Sequence, residues 1–261
     1  MSVLSPGWAT TLAVLAHKGS VVKDHGDYLL VRSPENPDFH WGNCLFVTDE
    51  AAVDDAQRWV ETFGQAFPGA AWIAIGLARL PGDQDAWTAL GIELELDDVL
   101  TTRTLPRQTA LADGYSVRRL SGDDWEQLVA RGLAENLSTG EYDPTMHERF
   151  LRVQVQSQRA LSDRGVAAFF GAFDGERLVA DLGIVRCGTT ARYQNVGTEE
   201  EHRRRGLASH LLGVAARWAA EAGCDEWVIV TEASNAAGRV YRRVGFEPDE
   251  GNAQAYRRPP R

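Results

Sequence analysis

Residues 199–212 read EEEHRRRGLASHLL: three carboxylates run into a histidine, three arginines, a glycine and a small residue, just ahead of an apolar-periodic stretch. The spacing of Leu207, Leu211, Val214, Ala215 and Trp218 predicts a helix from Gly206 that stops at Gly223. The arginines therefore stand at the positive pole of its dipole, where each first-turn cation costs roughly 0.3–1 kcal/mol. No Ser, Thr, Asp or Asn occupies the cap position, which leaves the orphan N–H groups of the first turn open to an outside acceptor. Gly206 permits a tight turn, and Ala208 keeps that turn uncrowded. Such a start suits a pyrophosphate or a similar multiply charged anion. The plainer alternative is a basic surface turn neutralised by Glu199, Glu200 and Glu201.

Around this loop the sequence lays out a sheet. After a linker at 104–115, "YSVRRL" reads as a short strand, and "SGDDWEQLVARGLAEN" as a helix opened by a capping box from Ser121 to Asp124. The turn "STGEYDP" leads to a second helix with Asp143 as cap and Pro144 in its first position. "GVAAFFGAF" and "RLVADLGIVRC" form a hairpin about Asp174-Gly175, and "ARYQNVGT" is the next strand. Beyond the arginine helix come a buried strand "EWVIVTEA", a short helix "AAGRVYRRVG" and a final extended segment "FEPDE…AYRR".

The first half repeats the end of that order. "WTALGIELE" (87–95) aligns with "YRRVGFEPD" (241–249), setting Trp87 against Tyr241 and Gly91 against Gly245. "WIAI" at 72 aligns with "WVIV" at 227, and matches in register suggest a duplicated unit. The copies differ where chemistry would be. Opposite the arginines the first half reads "VTDEAAVDDAQRWV" (47–60), with Thr48 available as cap and Asp49, Glu50, Asp54 and Asp55 in the opening turns. That helix carries its own anions and would repel another. The aromatic turn "PDFHWGN" (37–43) reads as a buried corner.

Composition removes whole classes of function. The 261-residue chain has a net charge of −10, of which residues 1–112 carry −8, so it lacks the basic excess of a nucleic-acid binder. The acidic balance would favour cationic partners. Three scattered cysteines form neither a disulfide framework nor a metal spacing, which points to a reducing compartment, and the six histidines show no ligand pattern. "WATTLAVLA" is too short to span a bilayer and lacks the flanks of a signal peptide. The expectation is a cytoplasmic protein with no metal, nucleic-acid or membrane partner.

The run Arg203-Arg204-Arg205-Gly206-Leu207-Ala208, after a strand and opening a helix, is similar to the acetyl-CoA-binding motif of the GNAT superfamily of N-acetyltransferases. "VYRRVGF", with a tyrosine on a short helix before Gly-Phe, resembles that family's second signature. The resemblance covers roughly 114–261 and departs from the family pattern at Ser234, where an asparagine is common and Asn235 comes one step late. It implies an α/β (α+β) architecture of two GNAT-like domains, each a mixed, mostly antiparallel sheet flanked by helices. Residues 1–112 would be a degenerate copy without a cofactor site; 113–261 would be the catalytic domain, with splayed central strands.

By that resemblance the co-substrate is acetyl-CoA, held by Asn195, Val196, Gly197, Thr198, Arg203–Ala208 (with Leu207), Ser234 and Asn235. Tyr241 would protonate the leaving thiolate, Glu232 would take the amine proton through a water, and Asp181 is a further carboxylate on the hairpin. Glu141 and Tyr142 would hold the primary amine of a small molecule or peptide. The rival from another class is an acyl-CoA-binding sensor or interaction module that transfers nothing.

Overall fold

A computed structural model describes residues 4–259. In chain order the elements are α1 (Pro6–His17), β1 (Val21–Asp24), β2 (Tyr28–Arg32), β3 (Cys44–Val47), α2 (Ala56–Ala66), β4 (Ile73–Leu77), α3 (Gln84–Thr88), β5 (Glu93–Thr102), β6 (Tyr115–Arg119), α4 (Asp124–Thr139) and α5 (Pro144–Asp163). The rest are β7 (Ala167–Asp174), β8 (Arg177–Cys187), β9 (Thr190–Thr198), α6 (Leu207–Glu221), β10 (Glu226–Glu232), α7 (Ala237–Val244), β11 (Glu247–Pro248) and β12 (Asn252–Arg257). They divide into two compact units: residues up to Val99 with 230–235 and everything from Asp249, and residues 100–229 with 236–248. None of the helices among the described residues is long and apolar enough to cross a membrane.

The first unit is a mixed sheet in the order β1-β2-β3-β4-β12-β5. β1, β2 and β3 pair antiparallel, β3 and β4 parallel with α2 as the crossover between them. The strand between β4 and β5 comes from the other end of the chain: Ala255 of β12 lies opposite Ile75 of β4 and Leu94 of β5. Alternation explains the fit. Ala253 and Ala255 turn into the core shared with Trp59, Phe63 and Leu77. The final extended segment, expected to belong with the second half, thus straddles the units: Glu247–Pro248 pairs with the end of β5 at Leu100 and Thr101, whereas β12 completes the first sheet.

The helix opposite the arginines is capped by acids, though not as the sequence suggested. Asp49 caps a one-turn 3-10 helix at Glu50–Ala52, and Asp55 caps α2 by accepting the Arg58 N–H at 3.3 Å. The Thr48 hydroxyl donates to the Gly26 carbonyl at 3.4 Å instead, because its backbone is bonded to Asp27. Asp54 accepts from Arg79 at 2.7 Å and from the Gly82 N–H at 2.6 Å. Asp49, Asp54 and Asp55 are thus engaged inside their own unit.

The second unit orders its strands β10-β9-β8-β7-β6, antiparallel except for the parallel pair β9/β10 that α6 connects. Leu207, Leu211, Ala215 and Ala219 of α6 press on Ala168, Leu182, Ile184 and Tyr193 in one core. The opposite face takes α4 through Trp125 on Phe169, ring centroids 5.5 Å apart. Asp143 and Pro144 open α5 as expected. At α4 the capping box is half formed: Asp124 accepts the Ser121 N–H at 2.8 Å and pairs with Arg118, but no side chain caps the helix, and the Asp124 N–H donates to the Ser121 carbonyl at 3.0 Å instead. That helix runs on to Thr139 and shortens the expected turn.

The expected linker is docked rather than free. The Arg107 N–H donates to the Val244 carbonyl at 2.9 Å, and the Thr109 carbonyl lies 2.7 Å from His210 Nδ1. Gln108 crosses α6 so closely that a Cβ at Gly213 would stand 2.4 Å from its Cβ and 2.5 Å from its Cα. Gly213→Ala therefore sets a helix-propensity gain of about 1 kcal/mol against overpacking by a backbone neighbour, about 1–3 kcal/mol. Overpacking should win: thermal unfolding followed by circular dichroism is expected to show a lower Tm, and an unchanged or higher one would mean the linker lifts freely.

Candidate active site

Gly206 opens α6 in the left-handed conformation, φ +77°, and no side chain caps the helix. Arg204 is also left-handed at φ +62°, so two unusual backbone positions bracket Arg205 and turn the loop sharply into the helix. Arg203 Nε donates to the Thr198 carbonyl at 3.2 Å, tying the loop to the end of β9. Among the described residues none of Arg203, Arg204 and Arg205 forms an ion pair. The neighbouring glutamates do not neutralise them. Glu199 instead accepts from Arg177 at 2.7 Å and lies 3.8 Å from Arg131 Nε. Three unpaired guanidiniums and an uncapped helix start share one loop, which is the arrangement an anion completes.

β9 is held unequally on its two edges. Against β8, Asp181 faces Gly197 and Gly183 faces Gln194, so β9 carries one extra residue in a bulge at Asn195–Val196, with Asn195 at φ +48°. Against β10, parallel pairing runs only from Thr190/Glu226 to Arg192/Val228 and stops, although β9 continues to Thr198 and β10 to Glu232. The backbone of Asn195–Thr198 therefore borders a splay. The first unit keeps the corresponding pair closed: β3 and β4 pair from Leu45/Ile75 to Val47/Leu77, where both strands end, and the Ala78 N–H adds a further bond to the Val47 carbonyl at 3.0 Å.

Tyr241 lies on the buried side of α7, 4% exposed, with its ring edge-on to Phe246 at 6.5 Å. Burial pushes its hydroxyl up to about 12, so the proton stays on at neutral pH. Glu232 is the exposed last residue of β10, and Ser234 and Asn235 are exposed in the turn that follows, closed by the Asn235 N–H on the Glu232 carbonyl at 2.9 Å. Those three fall in the segment grouped with the first unit; Tyr241, the arginine loop and the bulge fall in the second. Glu141 is exposed on the α4–α5 turn, where buried Asn136 pins Tyr142 by two 3.0 Å bonds to its backbone and His147 stacks on its ring.

The structure brings Asp181, the further carboxylate on the hairpin, to the edge of the bulge. Asp181, in the middle of β8, lies across from Gly197, and a Cβ at Gly197 would be 3.6 Å from Asp181 Oδ1 and 3.5 Å from Arg131 Nη2. Arg131 of α4, which sequence patterning did not single out, pairs directly with Asp181. Desolvation pushes the Asp181 carboxyl up to about 6 against the opposing pull of Arg131, with Glu135 adding to the rise. A single acid in the apolar run "RLVADLGIVRC" was the visible signal; its partner is 50 residues away.

A raised folded pKa means that the native state takes the proton first. The Asp181 contribution to stability should be fully present below about pH 4 and lost as pH rises to about 6. Denaturant unfolding of wild type and Asp181→Asn across that range should show their free-energy difference moving between those two values and level above them. A difference flat throughout would place the carboxyl near its ordinary value.

Residues 130–246 match the acetyltransferase (GNAT) family model. No curated protein matches the chain significantly. Among solved structures, the fold is similar to a GCN5-related N-acetyltransferase from Kribbella flavida, with a TM-score of 0.68, 16% identity and coverage of 98% of this chain and 96% of that one. A GCN5-related N-acetyltransferase from Sphaerobacter thermophilus gives a TM-score of 0.56 and 18% identity over 90% and 82% of the two chains. A tandem GNAT protein from the clavulanic acid biosynthesis pathway gives 0.55 and 13% over 97% and 94%. The bulge, the arginine loop and Tyr241 all lie within the residues that match that family model.

Proposed function

We propose that the chain moves an acetyl group from acetyl-CoA directly to a primary amine of a small molecule or peptide. The observation that carries this reading is the pairing of an uncapped, arginine-flanked helix start with a splayed, bulged β9. Pyrophosphate would rest on the N–H groups from Gly206 onward with Arg203, Arg204 and Arg205, and the pantetheine arm would enter beside Asn195, Val196, Gly197 and Thr198. Ser234 and Asn235 would supply polar contacts from the turn after β10. The N–H groups freed by the bulge would polarise the thioester carbonyl.

The amine nitrogen attacks that carbonyl carbon, the C–S bond breaks, and Tyr241 gives its proton to the leaving thiolate. The proton lost by the amine passes to a carboxylate: Glu232 through a water, or Asp181, whose place beside Gly197 and raised pKa favour it. Glu141 and Tyr142 would face the acceptor, for which the net charge of −10 favours a cation. The thiols of Cys44, Cys187 and Cys224 suit a reducing compartment, and we place the protein in the cytoplasm. No group of His, Cys, Asp or Glu among the described residues is placed to hold a metal, and the scheme requires none.

Residues 1–112 would be a degenerate copy, with 113–261 the catalytic part. The closed β3/β4 pair, the Asp-capped α2 and the fully buried Trp87, whose Nε1 donates to the Val53 carbonyl at 3.2 Å, support that division of labour.

Acetyl-CoA at a hundred times its Kd should stabilise the fold by about 2.7 kcal/mol. A thermal-shift assay should show the rise, and Arg205→Glu with Gly206→Val should abolish it without unfolding the protein. Titration calorimetry should give one CoA site per chain; two would mean that the first unit kept a site. With an acceptor found by screening amines for acetyl-CoA consumption, Tyr241→Phe should lower kcat about a hundredfold while acetyl-CoA affinity holds. An unchanged kcat would remove Tyr241 from the chemistry, and CoA binding with no amine acetylated in the screen would favour the sensor reading.

A further inference from the structure

Residues 107–115 lie ahead of the family-matched segment, yet they grip the arginine loop. The Thr109 hydroxyl donates to the Gly206 carbonyl at 3.4 Å. The Tyr115 hydroxyl stands 2.8 Å from Nδ1 of His202, which is buried at the foot of the loop, and the Arg205 guanidinium lies 6.0 Å from the centre of the Tyr115 ring. Thr109 is held in its turn. His210 Nδ1 donates to the Thr109 carbonyl at 2.7 Å, which leaves His210 Nε2 to accept from the Gln108 amide at 3.1 Å. The strap that bears Thr109 is seated where Gly213 lets it touch α6.

The loop needs such support. Arg204 occupies a backbone region that L-residues disfavour, and three adjacent like charges without an ion pair push the segment open. A loop free to relax would have to be ordered by its ligand, and that ordering would be subtracted from affinity. The contacts above act on both ends of the strained segment: His202 just before it and Gly206 at its close.

We infer that Thr109 and Tyr115 are positioning residues for a diphosphate, holding Arg203–Gly206 in its left-handed, helix-opening form before the anion arrives. The inference rests on the acetyl-CoA reading above and extends it to residues outside the family-matched segment. Thr109 acts through the Gly206 carbonyl. Tyr115 acts through His202 and through the face it offers to Arg205.

The test is calorimetric titration of the full chain with CoA, together with hydrogen exchange at the amides of 204–209 in the unliganded protein. Thr109→Val and Tyr115→Phe should each weaken CoA binding roughly three- to tenfold, the worth of one net hydrogen bond. Both should speed exchange in that segment, whereas Thr109→Ser, which keeps the hydroxyl, should stay near wild type. Should Tyr115→Phe fail to fold, the two Thr109 variants carry the test alone. Unchanged CoA affinity in the variants, including a case in which only the unliganded Tm falls, overturns the inference. A wild-type protein that binds no CoA overturns the acetyl-CoA reading and this inference with it. Wild-type binding that Arg205→Glu abolishes and the strap variants leave intact overturns this inference alone.

Discussion

Strand β9 pairs along its length with β8, through a one-residue bulge, but with β10 at only three positions. Backbone groups that lose a ladder partner must find another, and this requirement shapes everything near them. Arg203 answers part of it by donating to the Thr198 carbonyl, which also fixes where the arginine loop begins. The bulge answers another part by turning Asn195 out of the regular pleat. The same order of elements in the first unit never faces this problem, because β3 and β4 stay paired to their ends. Two copies of one topology thus differ by whether a parallel pair is allowed to open.

Charge leaves the arginine loop without an ion pair among the described residues. Exposed ion pairs contribute little to stability, so little would be gained by pairing the arginines with the glutamates beside them. Glu199 is drawn to Arg131 and Arg177 instead, and Arg131 in turn holds the half-buried Asp181, which lies across from Gly197 beside the bulge. One network thereby removes a neutralising carboxylate from the loop and sets a carboxyl with a raised pKa next to Gly197. In the first unit Asp49, Asp54 and Asp55 are all engaged by nearby N–H groups or by Arg79, and the corresponding helix start has no remaining demand for an anion.

The last strand ties the two ends of the sequence into one sheet. Asn252 pairs with Asp97, and Ser5 of the α1 cap donates to the Asn252 side chain at 2.9 Å. The first unit is therefore complete only once β12 has joined it. Pairing at such sequence separation is slow to form, because the loop must close before its contacts contribute.

What the sequence determined by itself was local. The periodicity of α6, the Asp143-Pro144 start of α5, the hairpin at Asp174-Gly175 and the uncapped Gly206 depend on neighbours within a few residues, and the structure has each of them. The family motifs were legible for the same reason, since each spans one turn and its flanks. Local patterns also misled where rivals were close: Thr48 was a reasonable cap until Gly26 took its hydroxyl. The rest is non-local. That β12 belongs to the first unit, that Glu199 leaves the arginines for Arg131, that Asp181 meets Arg131 across 50 residues, and that the linker lies on α6 at Gly213 follow from pairings between distant segments. A carboxylate or a strand edge in the sequence carries no mark of which distant partner will reach it, and only the closed tertiary structure makes that choice.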